Sequence, residues 1–159
     1  MRDLWKTYLK DAHAVVWVLD AVRWATDAEV VDGACTAYRD SILSTLFTFV
    51  GDAAERGQPL VIVVSKVDAL GPDVKASHGF PQDQVHARGV LEHVRSTIQK
   101  RCASFVKENA QRGLPEPQIV FVCASAVTGE GIADAMRNVY SLAQRYAPST
   151  ARRPYTTPR

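Results

Sequence analysis

The sequence predicts an α/β fold in which a parallel sheet is flanked by helices, and three observations carry that prediction. Three apolar runs, at 12–21 (AHAVVWVLDA), 59–66 (PLVIVVSK) and 117–124 (PQIVFVCA), are nearly continuous rather than alternating, as strands covered on both faces must be. Between and after them lie segments whose apolar residues recur every three or four positions, the period of an amphipathic helix. Strand–helix–strand repeats of this length close as right-handed crossovers, which makes the strands parallel.

The elements follow in the order α-β-α-β-α-β-α. An opening helix over MRDLWKTYLKD precedes the first strand. In CTAYRDSILSTLFTFVGDAAERG, Tyr38, Ile42, Leu46, Phe49 and Val50 share one helical face. In VLEHVRSTIQKRCASFVKENAQRG, Leu91, Val94, Ile98, Cys102 and Phe105 do the same, and Gly113 is placed to stop that helix. The stretch 70–84, LGPDVKASHGFPQDQ, reads as a loop because Gly, Pro and Asp crowd together. The last helix begins near Gly131, with Ile132, Ala135, Met136, Val139, Ala143 and Tyr146 as its inner face, and Pro148 keeps it from running on. Residues 1–147 read as one domain, partial in extent, and 148–159 as a solvated Pro/Arg-rich tail.

Composition excludes several classes. A net charge of +2 on 159 residues is too small to argue for nucleic acid or a membrane surface. The three cysteines, Cys35, Cys102 and Cys123, are odd in number and lack zinc spacing, so a reducing cytoplasm is expected. His13, His78, His86 and His93 have no metal-ligand spacing either, and they read as structural or solvated. Trp17 reads as core; Trp24 is compatible with a loop aromatic, and the sequence leaves its role open. No apolar run approaches bilayer length, and Arg2 stands where N-myristoylation needs glycine, so membrane attachment is not expected from this chain.

Ligands of open α/β sheets bind beyond the carboxyl ends of the strands. This sequence gathers its polar groups there: Asp20 after the first run, Ser65-Lys66-Val67-Asp68 after the second, and Ser125-Ala126-Val127-Thr128 after the third. A carboxylate such as Asp68 accepts two hydrogen bonds side by side, which suits the N1–H and exocyclic N2–H₂ of guanine and not the edge of adenine. Lys66 can lay its aliphatic stem on a base or ribose face while its head stays in water. The backbone N–H of Ala126 can meet guanine O6, because a methyl side chain permits close approach. Alone, S-K-x-D describes many solvated loops. Followed one strand later by S-A-V-T-G-E-G-I, it points to guanine.

With these two motifs the chain resembles the Ras-superfamily P-loop GTPases, whose guanine-reading motifs are N/T-K-x-D and S-A-K or C-A-T. The opening stretch RDLWKTYLKDAHAVVWVLDA resembles the Arf and Arf-like branch, with Arg2, Leu4, Trp5, Tyr8, Val18 and Asp20 on matching positions. The resemblance spans residues 1 to about 147 and implies part of a three-layer, Rossmann-like GTPase sheet. It implies GTP/GDP as ligand, with Ser65, Lys66, Asp68, Ser125, Ala126 and Val127 at the guanine, and a switch role in membrane (vesicle) traffic. Effector or regulator proteins would meet Leu4, Trp5 and Tyr8 on a switch II-like helix. The chain departs from the pattern where Ser65 replaces Asn, where Val127 replaces Lys or Thr, and in a longer 71–113 segment.

The phosphate-binding part of that family does not occur in this sequence. Its loop, G-x-x-x-x-G-K-[ST], holds the phosphates through backbone amides and Lys, yet none of the nine glycines is followed by Lys. The D-x-x-G-Q segment would lie before Met1. No catalytic residue and no metal ligand are therefore expected, Mg²⁺ would enter only with a supplied N-terminal half, and the chain alone is not expected to hydrolyse GTP. It reads as the base-recognition half of an Arf-like GTPase. It would be a truncated form, or a short form completed by another polypeptide or by dimerisation at the 12–21 strand edge. The alternative is a non-enzymatic interaction module using Leu4, Trp5, Tyr8 and that open edge.

Overall fold

The run 59–66 becomes the middle strand of a three-stranded sheet. The computed structural model describes residues 12–31, 34–55, 58–114, 116 and 118–146. In chain order the elements are β1 (Val15–Asp20), α1 (Ala21–Thr26), β2 (Ala28–Val31), β3 (Ala34–Ala37), α2 (Tyr38–Glu55), β4 (Leu60–Ser65), α3 (Ala87–Gln111), β5 (Ile119–Cys123) and α4 (Ile132–Tyr146). The order across the sheet is β1-β4-β5 and both pairings are parallel. This is an α/β fold with an open, all-parallel, helix-flanked sheet in a Rossmann-like layout. Leu4, Trp5, Tyr8 and the 148–159 tail lie outside the described residues.

The unbroken apolarity of VIVV at 61–64 has its cause in the two cores that meet on β4. On one face Leu60, Ile62 and Val64 join Val15 and Leu19 beneath α1, α2 and α3, which contribute Trp24, Leu43, Leu46, Val50, Val90, Val94 and Ile98. On the other face Val61 and Val63 pack with Ala124 and with Ala135 and Leu142 of α4. Each fully buried aliphatic side chain here is worth roughly 1.5–3 kcal/mol, so a strand apolar on both faces is stable only between two layers.

β1 is covered unequally. Its register places Val16 opposite Val61 and Val18 opposite Val63, so these two valines share the face that α4 covers over β4 and β5. There they remain 46% and 59% exposed. Among the described residues β1 pairs only with β4.

Two features differ from the sequence reading. The helical pattern beginning at Cys35 starts as a helix only at Tyr38, because Ala34–Ala37 is taken into an antiparallel hairpin with Ala28–Val31. The signal was present in Asp32-Gly33 between two short runs, the dipeptide favoured in such turns. In α4 the inward residues are Ala135, Val139 and Leu142, whereas Ile132, Met136 and Tyr140 are exposed. The apolar side of this helix is clearly marked, but only its edge of Ala135, Val139 and Leu142 lies over β4 and β5, and the other edge faces out. The Tyr146 side chain lies outside the description.

Trp24 is a fully buried core residue of α1 rather than a loop aromatic, and its Nε1–H donates to His93 Nδ1 at 3.1 Å. Phe80 packs against the same imidazole, with ring centroids 4.8 Å apart and the rings tilted by 46°. The loop before α3 is tied down by Ser77, whose N–H donates to Ala25 O at 3.0 Å and whose hydroxyl bonds the Arg39 guanidinium. Burial, aided by the Arg39 and Lys100 charges, lowers the His93 pKa below its ordinary 6.5, with a Gly79 backbone hydrogen bond opposing. Nδ1 must stay unprotonated to accept from Trp24. The unfolded chain therefore binds this proton first, and the stabilisation, complete above about pH 6.5, is lost as pH falls through the lower folded value. Urea denaturation is expected to show lower stability at pH 5 than at pH 7, with a shallower slope in His93→Gln. An unchanged slope would remove His93 as the cause.

Among the described residues, no helix is long and apolar enough to cross a membrane.

Candidate functional site at the strand carboxyl ends

Parallel pairing brings three separate stretches of sequence to one edge of the sheet. Asp20 lies opposite Ser65 in the β1–β4 register, and the Ala124 N–H donates to Val64 O at 2.9 Å, which docks the end of β5 beside β4. Ser65 Oγ donates to Leu19 O at 2.6 Å, a side-chain rung that ties the ends of β1 and β4 together.

Lys66 follows in the left-handed region, with φ 60° and ψ 35°. For a lysine this conformation costs about 1–2 kcal/mol, which Gly or Asn would largely avoid, and such strain concentrates where a side chain is used. The turn lets Lys66 project its ammonium back to Asp20 Oδ2 at 2.7 Å. It then starts the short 3₁₀ segment Val67–Ala69, whose Val67 is buried and whose Asp68 faces solvent. Among the described residues no hydrogen bond or ion pair holds the Asp68 carboxylate. Its acceptor pairs are open to a ligand.

Asp20 is the most constrained charge at this edge. Its Oδ1 accepts the Arg23 N–H at 3.0 Å and so caps α1, while its own N–H donates to the Tyr38 hydroxyl at 3.0 Å. Burial alone would raise its pKa, but the Lys66 ammonium and the Arg23 N–H outweigh it and hold the carboxyl below its ordinary 3.8. The stabilisation from this charge is present above about pH 3.8 and is lost only as pH falls through the lower folded value. The ion pair thus persists throughout the neutral range.

The loop after β5 is organised by one buried hydroxyl. Ser125 is fully buried, and its Oγ accepts the N–H of Val127 at 3.2 Å and of Thr128 at 3.1 Å. The Ser125 N–H donates to Glu130 O and its carbonyl accepts the Gly129 N–H, which closes the turn. With those amides occupied, the Ala126 N–H is the one between Ser125 and Gly129 that meets no acceptor among the described residues. Val127 presents its amide inward to Ser125 and its side chain, 84% exposed, to water.

The chemistry available is recognition rather than bond-breaking. An open carboxylate, an ammonium on a long stem and an open backbone N–H can read a flat, polar-edged ligand. No group of three or more His, Cys, Asp or Glu among the described residues is placed to hold a metal ion. A groove of about 450 Å³ lies at the opposite end of β5, between it and α3, lined by Gln99, Cys102, Val106, Ile119 and Phe121. Burial pushes the Cys102 thiol up to about 11, so it is no nucleophile at neutral pH.

Asp68, Lys66 and the Ser125–Val127 loop were legible in the sequence as strand-end motifs. The left-handed backbone of Lys66 and its ion pair with Asp20 were not, since lysine carries no preference for that conformation and the partners are 46 positions apart. The sequence matches no protein-family model and no curated protein.

Proposed function

We propose that this chain is the base-recognition part of an Arf-like, guanine-nucleotide-binding switch protein. The observation that carries the reading is the pairing of two unengaged groups at adjacent strand ends: the Asp68 carboxylate after β4 and the Ala126 N–H after β5. Guanine needs an acceptor for N1–H and N2–H₂ and a donor for O6, and these two groups supply both kinds. Lys66, two residues before Asp68, offers an apolar stem for the ring face. Ser65 and Ser125 act behind them, one tying β4 to β1 and the other holding the 125–128 turn. Three parallel strands with helices on both faces agree with a P-loop GTPase half, and the two motifs occupy the strand ends such a fold uses. Phosphate and Mg²⁺ contacts are not supplied by any G-x-x-x-x-G-K-[ST] segment of this sequence. The chain's own share of the nucleotide is therefore the base, and hydrolysis is not assigned to it.

The test is competition NMR with GDP, ADP and IDP at millimolar concentration. GDP is expected to bind best, IDP, which lacks the exocyclic amine, less well, and ADP least. Equal binding of GDP and ADP would sink the assignment.

One observation favours a second reading, an interaction module without nucleotide chemistry. Val16 and Val18 are exposed on the same side of the sheet as the outward Ile132, Met136 and Tyr140 of α4, beside the edge of β1 that has no strand partner among the described residues. An edge strand with a bare apolar face suits a partner that adds a strand and covers it with an apolar helix. Val18→Lys is then expected to abolish self-association or partner capture with the fold intact. A variant that still assembles like the parent would count against this reading.

A further inference from the structure

We infer that Asp20 is a positioning residue for guanine: its carboxylate holds the Lys66 ammonium so that the lysine stem is already laid out as a platform beside Asp68. The inference rests on the nucleotide reading above and adds to it a residue outside both base-reading motifs.

The two oxygens of Asp20 have separate duties. Oδ1 is fixed by the Arg23 N–H at the start of α1, and Oδ2 meets Lys66 Nζ at 2.7 Å. The carboxylate cannot swing without losing the cap, its backbone N–H is anchored on the buried Tyr38 hydroxyl, and its side chain is only 15% exposed. Lys66 is the opposite case, with a side chain 65% exposed. A long exposed lysine ordinarily samples many rotamers and must surrender them on binding a ligand. Here one end is set by a left-handed backbone and the other by a rigid carboxylate, so much of that ordering is complete before ligand arrives. The Ser65 rung to Leu19 O keeps the strand ends in register, and with them the separation of Asp20 and Lys66. An ion pair at a solvated surface adds little stability by itself, so its effect is expected in binding rather than in folding.

The cap supplies a clean separation of the two roles. Asn and Ser cap helices about as well as Asp, so Asp20→Asn and Asp20→Ser should keep α1 while removing the charge that holds Lys66. GDP affinity is measured for the wild type, D20N, D20S, K66M and D20N/K66M, alongside thermal midpoints. D20N and D20S are expected to weaken GDP about 5- to 10-fold with little change in midpoint. K66M is expected to weaken GDP as well, and D20N/K66M to bind no more weakly than K66M, because Asp20 acts only through the lysine. Wild-type affinity in both D20N and D20S, or an equal further loss when D20N is added to K66M, would overturn the positioning role. A wild type without guanine preference would instead overturn the nucleotide reading, and this inference with it.

Discussion

Asp68→Ala is expected to erase the preference for guanine over adenine nucleotides while leaving the fold in place. The carboxylate would accept two hydrogen bonds from guanine, and bonds to a charged acceptor are worth about 1.5–3 kcal/mol each. Discounting for its exposure, the loss should be about 2–4 kcal/mol, or roughly 30- to 1,000-fold in GDP affinity, with ADP almost unaffected. Nothing among the described residues leans on this side chain, so unfolding free energy should change by no more than about 0.5 kcal/mol. The discriminating quantity is the GDP-to-ADP affinity ratio, measured for parent and variant under the same salt. A ratio that survives the substitution would move base reading elsewhere. A general fall in both affinities would mean that Asp68 supports the site without reading the base.

Gly131→Ala is expected to be among the most damaging single methyls in the chain. Gly131 has φ +71°, and a Cβ there would stand 1.9 Å from the Cys123 carbonyl oxygen and 2.9 Å from its carbon. Both are backbone atoms of β5, so no rotamer change relieves the contact. Left-handed strain and overpacking together should cost about 3–5 kcal/mol. Gly129 supplies the control. It too has positive φ, +78°, but its Cβ would meet nothing within 4 Å. Gly129→Ala should therefore cost only about 1 kcal/mol, the conformational part alone. Urea denaturation of the two variants separates space from conformation. Equal costs would show that α4 does not press on β5 as closely as its first turn indicates. In a Gly131→Ala protein that still folds, the 125–130 turn would shift, and guanine binding should fall through Ala126 even though that residue is unchanged.

Much of this protein was legible from periodicity. Uninterrupted apolar runs told which segments are strands, and for β4 that both faces are covered, because the 61–64 run leaves no polar side for water. For β1 the same expectation failed, since Val16 and Val18 stay exposed on one face. The stripe Val94, Ile98 and Cys102 told which side of α3 turns inward, since a narrow stripe has one solution. The same logic was half right for α4: Ala135 and Val139 do turn inward, but Ile132 and Met136 of the same expected face are exposed. The surface offered by β4 and β5 takes one edge of the apolar side, bringing in Leu142 and leaving the edge of Ile132, Met136 and Tyr140 outward. The β2–β3 hairpin, Ala28–Val31 with Ala34–Ala37, escaped the helical reading because its second strand runs directly into the helix, without a breaker between them.

The candidate site divides along the same line. Residue types and their spacing after each strand identified Ser65, Lys66, Asp68, Ser125 and Ala126, because hydrogen-bonding capacity is a property of the residue itself. Tertiary structure decided which of those capacities remain available. Ser125 commits its hydroxyl to two amides of its own turn, Val127 gives up its N–H to that hydroxyl, and Ala126 N–H and Asp68 are left for a ligand. It also gave Asp20 its role, by setting it against Lys66, which follows the neighbouring strand β4. The physical reason is that a sequence records what each group can donate or accept, whereas pairing across parallel strands settles which partners come within hydrogen-bonding reach and so which groups are already satisfied.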